Sequence, residues 1–136
     1  MLLRISILLL SVFFCSCEKE GVLTSNVSET TVSSTSTVLY TGSFVPTAGI
    51  FVSGNAKIHL ENGQKKVVLE NFTISDGPDL KVYLSTTDFP TTFVNLGNLT
   101  SATVYNISQQ VDLTVYKYVL IHCQQHNHLF AIAALY

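Results

Sequence analysis

From about residue 39 onward, short runs of alternating apolar and polar residues dominate this chain. Val, Ile, Thr, Tyr and Phe fill these runs, and no long window places apolar residues at helical spacing. Alternation with period two puts successive side chains on opposite faces of a pleated strand, so the pattern predicts strands, not helices. Seven are predicted, over residues 39–44, 56–60, 66–72, 81–85, 103–107, 115–122 and 129–135. Turn chemistry separates them at Pro46, Gly49, Ser53-Gly54-Asn55, Asn62-Gly63, Asp76-Gly77-Pro78-Asp79, Pro90 and Gly97-Asn98. Asn62 and Gly63 both tolerate positive φ, which predicts a tight hairpin there. In residues 76–79 glycine frees φ, proline fixes it, and the aspartates can bond nearby amides.

Short strands with frequent turns predict an all-β fold, a single antiparallel β-sandwich or barrel. Along residues 81–84 the inward face is Val82 and Leu84. Along residues 56–60 it is Ala56, Ile58 and Leu60, which leaves His59 outward as a surface residue. The last two predicted strands are apolar on both faces. They are expected to be central and to pair as a hairpin around residues 124–127.

The N-terminal end reads differently. Arg4 precedes an apolar stretch, residues 5–14, interrupted by Ser6 and Ser11. A membrane-spanning helix needs about 20 apolar residues, so this stretch reads as an export signal. Phe14-Cys15-Ser16-Cys17 resembles the lipobox of bacterial lipoproteins, with Phe14 and Cys15 standing where Leu and Ala or Ser are commoner. That resemblance implies a leader over residues 1–16 and lipid attachment at Cys17; an ordinary cleaved signal is the alternative. Residues 17–38 are rich in Ser and Thr and lack aromatics, as expected of a flexible tether. Residues 39–136 form the expected domain. The implied setting is the bacterial cell envelope, with the protein lipid-anchored to a membrane on its periplasmic or surface face.

Charge and motifs narrow the function. The formal charge is −2, and loss of Arg4 with the leader would make it −3. With no basic patch, nucleic acid is not an expected partner. There is no Gly-x-Ser-x-Gly, no phosphate-cradling glycine loop and no His-Glu-x-x-His, which points away from an enzyme.

Cys123 is the one cysteine of the expected domain, so it has no internal partner for a disulfide. It opens Cys123-Gln124-Gln125-His126-Asn127-His128. On a regular strand Ile121 and Cys123 share a face and His122 takes the other. If residues 124–127 form a loop, Cys123 and His128 become cross-strand neighbours, with Cβ atoms about 4.5–5.5 Å apart. His126 would then lie above them. Thiolate with imidazole suits copper or zinc, which makes Cys123, His126 and His128 a candidate metal set. The Cys-x-x-His spacing also resembles a cupredoxin copper loop, but the only methionine is Met1 and the only distant histidine is His59. Two other readings stand beside the metal: a redox thiol activated by His122, His126 or His128, and a buried small hydrophobe.

The order of motifs resembles the DM-thirteen domain. The matching stretches are Tyr40-Thr41-Gly42-Ser43-Phe44, Gly54-Asn55-Ala56-Lys57-Ile58, Leu69-Glu70-Asn71-Phe72, Gly77-Pro78-Asp79-Leu80-Lys81-Val82-Tyr83-Leu84-Ser85, Leu96-Gly97-Asn98-Leu99, Tyr105-Asn106-Ile107, Val119-Leu120-Ile121-His122-Cys123 and Phe130-Ala131-Ile132-Ala133-Ala134-Leu135. The resemblance implies a β domain that works in electron transfer with a redox partner protein. It also implies a role for Cys123, as a bare thiol or as the holder of a prosthetic group such as a metal or haem. His126 and His128 depart from the family pattern, standing where an aromatic and a small apolar residue are usual. The rival expectation is a non-catalytic binding or adhesion module of the envelope, with Cys123 structural.

Overall fold

The computed structural model describes residues 35–136. Residues 1–34, which hold the expected leader, Cys17 and most of the expected tether, lie outside the described residues. The described part is all β, with strands β1 (Thr37–Pro46), β2 (Val52–Glu61), β3 (Gln64–Ile74), β4 (Leu80–Ser85), β5 (Phe93–Asn98), β6 (Val104–Asn106), β7 (Tyr118–Cys123) and β8 (His128–Ala134). They form one antiparallel sheet in the order β5-β4-β7-β8-β1-β2-β3-β6. Its two end strands approach each other: the Tyr105 hydroxyl donates to the carbonyls of Asn98 at 3.3 Å and Ala102 at 3.1 Å. The sheet is therefore a nearly closed barrel, which leaves little unpaired edge.

β1 turns the corner of this barrel. Residues 37–43 pair with β2, and residues 44–46 pair with β8. Gly42 sits at the change-over. A Cβ there would lie 2.1 Å from the carbonyl oxygen of Ala134, so only glycine lets β8 come this close. The end of the chain is tied to the same corner through reciprocal Thr41–Tyr136 backbone bonds of 3.2 and 3.1 Å.

The barrel interior holds the main core. Ala56 and Ile58 of β2, Val67 and Leu69 of β3, Val82 and Leu84 of β4, and Val119, Ile121 and Cys123 of β7 all point into it. Leu60, expected beside Ala56 and Ile58, is only half-buried. Asn62 and Gly63 form the two-residue β2–β3 turn with φ of 49° and 78°. β7 and β8 occupy central places in the sheet and pair as a hairpin around residues 124–127, as their two-sided apolar character predicts.

Three expectations are corrected. β5 was hidden by Gly97-Asn98, which reads as a turn. Val82 pairs with Gly97 while Tyr83 pairs with Asn95, so the glycine lies inside the strand at a bulge, with φ of 128°. Second, β7 begins at Tyr118, not 115, because Asp112 organises a turn there. Its carboxylate accepts from the Thr114 amide at 2.8 Å and hydroxyl at 2.6 Å, and its carbonyl accepts from the Val115 and Tyr116 amides. Third, His59 is not a surface residue. It faces away from Ala56 and Ile58 yet is buried; Ser36 Oγ lies 2.9 Å from its Nδ1, and its Nε2 has no hydrogen-bond partner. Beside it, Lys66 and Glu61 form a buried ion pair of 2.7 Å. Alternation assigned the face correctly, but it carries no information about what covers that face.

Candidate functional site

β7 is apolar on both sides because both sides are covered. Val119, Ile121 and Cys123 enter the main core, while Leu120 joins Tyr83 and Leu129 in a second cluster on the outer face. Cys123 is fully buried, and it is the free cysteine among the described residues. Cys123 and His128 are Cα partners across the hairpin, as the four-residue loop requires. Asn127 closes that loop with φ of 48° and an amide bond of 3.3 Å to the Gln124 carbonyl.

The burial of these residues then diverges. His126 and His128 are exposed, and the His128 ring meets the edge of Phe130 at 5.0 Å. Thiol and imidazoles thus share a hairpin without sharing an environment. Among the described residues, no three His, Cys, Asp or Glu side chains are grouped to hold a metal ion. His122 lies on the opposite face of β7 from Cys123. Its ring stacks on Tyr83 at 5.3 Å, and Tyr83 stacks in turn on Phe93 at 4.2 Å. Burial disfavours the imidazolium and holds the His122 pKa below its ordinary value, partly opposed by a hydrogen bond that the ring donates to the Asn127 side-chain oxygen. The His122 Nδ1 is buried with no hydrogen-bond partner.

The end of β7 at Cys123 meets the start of β4 and the loop before it. Leu80 is its Cα partner on β4, and the Gln124 amide donates to the Asp79 carbonyl at 3.0 Å. A Cβ added to Gly77 would lie 2.8 Å from Leu80 Cδ2 and 3.1 Å from the Phe130 ring, so glycine lets this loop press onto the end of the barrel. Lys81 anchors its far side through a 2.8 Å ion pair with Asp79 and a hydrogen bond to Asn98. The Gly77-Pro78-Asp79-Leu80 block and the cysteine block, separated by some forty residues of sequence, therefore meet in space. Reading the sequence alone singled out both blocks but missed their contact, which depends on β4 pairing with β7 across two intervening strands.

A cavity of about 450 Å³ lies on the outer side of this loop, lined by Ile74, Asp76, Pro78, Leu80, Leu99 and Thr100 among others. No His, Cys or Met lines it. The residues present do not fit a haem, which would find no axial ligand in that cavity. Nor do they fit a metal at Cys123 in this arrangement, because the thiol is in the core while His126 and His128 are exposed.

An all-β domain of nearly closed barrel form, with a core cysteine packed under a Gly-Pro-Asp-Leu loop, is the class these features define. The chain belongs to the electron transfer DM13 family, whose model matches residues 47–135. Comparison with curated proteins and with solved structures gave no match.

Proposed function

We propose that this protein is an electron-transfer accessory of the bacterial cell envelope, lipid-anchored through Cys17, and that Cys123 is its redox group. Family membership supports a redox-related role. The observation that carries the residue assignment is the meeting of the family's two most specific blocks at the Leu80–Cys123 pair. With no second cysteine in the domain, the chemistry open to Cys123 is exchange with a disulfide. The thiolate attacks one sulfur of a partner disulfide, the S–S bond breaks, a mixed disulfide forms and the partner's second thiolate leaves. A thiolate of a second partner protein then attacks the first partner's sulfur in the mixed disulfide and releases the Cys123 thiolate, so the second partner's thiol ends oxidised in a disulfide and the first partner is left with one reduced thiol.

The second reading is a binding or adhesion module with Cys123 as a packing residue, and the full burial of the thiol favours it. A copper or zinc site on Cys123, His126 and His128 would require the hairpin to rearrange so that the thiol turns outward.

The two main readings differ in living cells. Cells producing the protein are quenched in acid, free thiols are blocked, and the Cys123 peptide is measured before and after reduction. A reversibly oxidised fraction of Cys123 is expected. A thiol found wholly reduced under all growth conditions would support the packing role instead.

A further inference from the structure

Exposed apolar side chains are spread unevenly over this barrel. Two large ones, Val45 and Phe51, lie toward the end where β1 passes into β2. The others exposed among the described residues are Val38, Leu39, Phe89, Phe93, Val115 and Tyr136, and all belong to the opposite end. Antiparallel pairing puts the starts of β1, β5 and β7 and the ends of β4 and β8 together there. Those five strands are consecutive neighbours, in the order β5-β4-β7-β8-β1. Phe93 starts β5, Phe89 sits in the β4–β5 loop, Val115 shortly precedes β7, Tyr136 follows β8, and Val38 and Leu39 open β1. Backbone contacts tie each of these ends to the next. Ser85 pairs with both Phe93 and Tyr118, the Leu135 amide donates to the Lys117 carbonyl at 2.8 Å, and Thr41 and Tyr136 bond reciprocally. The apolar side chains therefore form one arc along the rim. The rest of that rim is polar: Asn62 and Gln109 are exposed, and the Gln109 Nε2 donates to the Gly63 carbonyl at 2.7 Å.

Single exposed apolar residues are ordinary, but an arc of them confined to one rim marks a contact surface. The course of the chain says what it contacts. The described residues begin at Thr35, just ahead of β1, so the segment that leads back to Cys17 enters at this same rim. Even fully extended, the chain between residues 17 and 35 reaches only about 60 Å. We propose that this rim rests on the membrane that holds the lipid on Cys17, with Phe89, Val115 and Tyr136 entering the headgroup layer. The inference rests on the lipid-anchor reading for the source of the membrane. An arc along a rim suits a wide, flat surface, whereas a peptide is held in a groove. Tyrosine is favoured at such an interface, its ring apolar and its hydroxyl wet. Lys117, Asp88 and Asp112 leave the arc without a positive patch, so the contact is apolar and not electrostatic. The anchor already holds the domain at the surface, so weak affinity of the rim is enough. β7 ends at Cys123, so this seating turns Cys123 and the loop over residues 124–127 away from the bilayer.

The chain has no tryptophan, so a single introduced indole reports its own surroundings. Phe89→Trp, Tyr136→Trp and, at the opposite end, Phe51→Trp are each made in the full-length protein, which is isolated from cells and reconstituted into phosphatidylethanolamine–phosphatidylglycerol vesicles. All three positions are exposed, so none of these changes disturbs the core. Part of the lipid carries bromine high on the acyl chain, which quenches a nearby indole. Phe89→Trp and Tyr136→Trp are expected to lose about half of their emission or more, since interfacial side chains lie roughly 5–10 Å into the boundary. Phe51→Trp is expected to keep its emission. The seating is overturned if either rim position stays unquenched, or if Phe51→Trp is quenched as strongly as the rim. The mass of the N-terminal peptide is read on the same samples. Acyl chains on Cys17 without quenching at the rim would sink the seating and leave the anchor intact. Rim quenching in a vesicle-bound chain that lacks acyl chains would sink the anchor and leave the seating intact.

Discussion

His122 and Tyr83 stack diagonally across the β4–β7 ladder, their ring centroids 5.3 Å apart. The contact places a titratable ring on the covered outer face of a central strand, where its charged form is poorly solvated.

Acid sensitivity follows. The folded state holds the His122 pKa below its ordinary value of 6.5, so between the two values the unfolded chain binds more protons. The stability from neutral His122 is present in full above about pH 6.5. It is lost progressively as pH falls through 6.5 toward the lower folded pKa. One such group contributes a slope of at most about 1.4 kcal/mol per pH unit. Urea unfolding between pH 7.5 and 5 is expected to show this decline, and His122→Phe is expected to flatten it. An identical slope in the variant would show that His122 is not the group responsible.

Substitutions at Cys123 should separate size from polarity. Alanine removes one sulfur atom from the core. Serine matches the thiol more closely in size but buries a hydroxyl in the apolar main core, where it must find a partner. An unsatisfied buried polar group costs about 1–3 kcal/mol. Cys123→Ser is therefore expected to be less stable than Cys123→Ala by about 1 kcal/mol or more. Equal stabilities would mean that the serine hydroxyl finds a hydrogen bond at this position.

Gly42 offers a test of the barrel corner. Its φ is not positive, so the requirement for glycine is purely one of space against the Ala134 carbonyl. Gly42→Ala is expected to destabilise the domain by about 1–3 kcal/mol, the usual cost of overpacking, because backbone must shift. Gly63→Ala creates no crowding, since nothing lies within 4 Å, and its cost should reflect only the φ of 78°.

Much of this architecture is legible in the chain, for identifiable reasons. Alternation found the strands around Ile58, Val67 and Val82 because one face of each is buried in a single core. The two-sided apolar runs around Leu120 and Ala131 marked the central hairpin. Local bonding hid the rest. Gly97 inside β5 looks like a turn, and the Asp112 turn removes residues 115–117 from β7. Leu80 was legible as part of a motif but not as the cross-strand partner of Cys123, because strand order in the sheet is a non-local property. Burial of His59 and His122 was invisible too, since a histidine on the face opposite a core reads as solvated whether or not that face is covered.

For the proposed anchor, metabolic labelling with a radiolabelled fatty acid is expected to mark the wild-type protein and to miss Cys17→Ala. The variant is also expected to leave the membrane fraction. Labelling that persisted without Cys17 would overturn lipid attachment at that residue.

The central claim is that Cys123 is a redox group reachable in the folded state, and an equilibrium titration tests it most directly. The full-length protein is poised against graded ratios of mercaptoethanol and hydroxyethyl disulfide at neutral pH, and the Cys123 peptide is weighed at each ratio. A reversible mixed disulfide is expected to form under native conditions, with a midpoint that shifts on unfolding. A Cys123 that stays unmodified at every ratio in the folded protein, and reacts only in denaturant, would contradict the account and make the cysteine a packing residue.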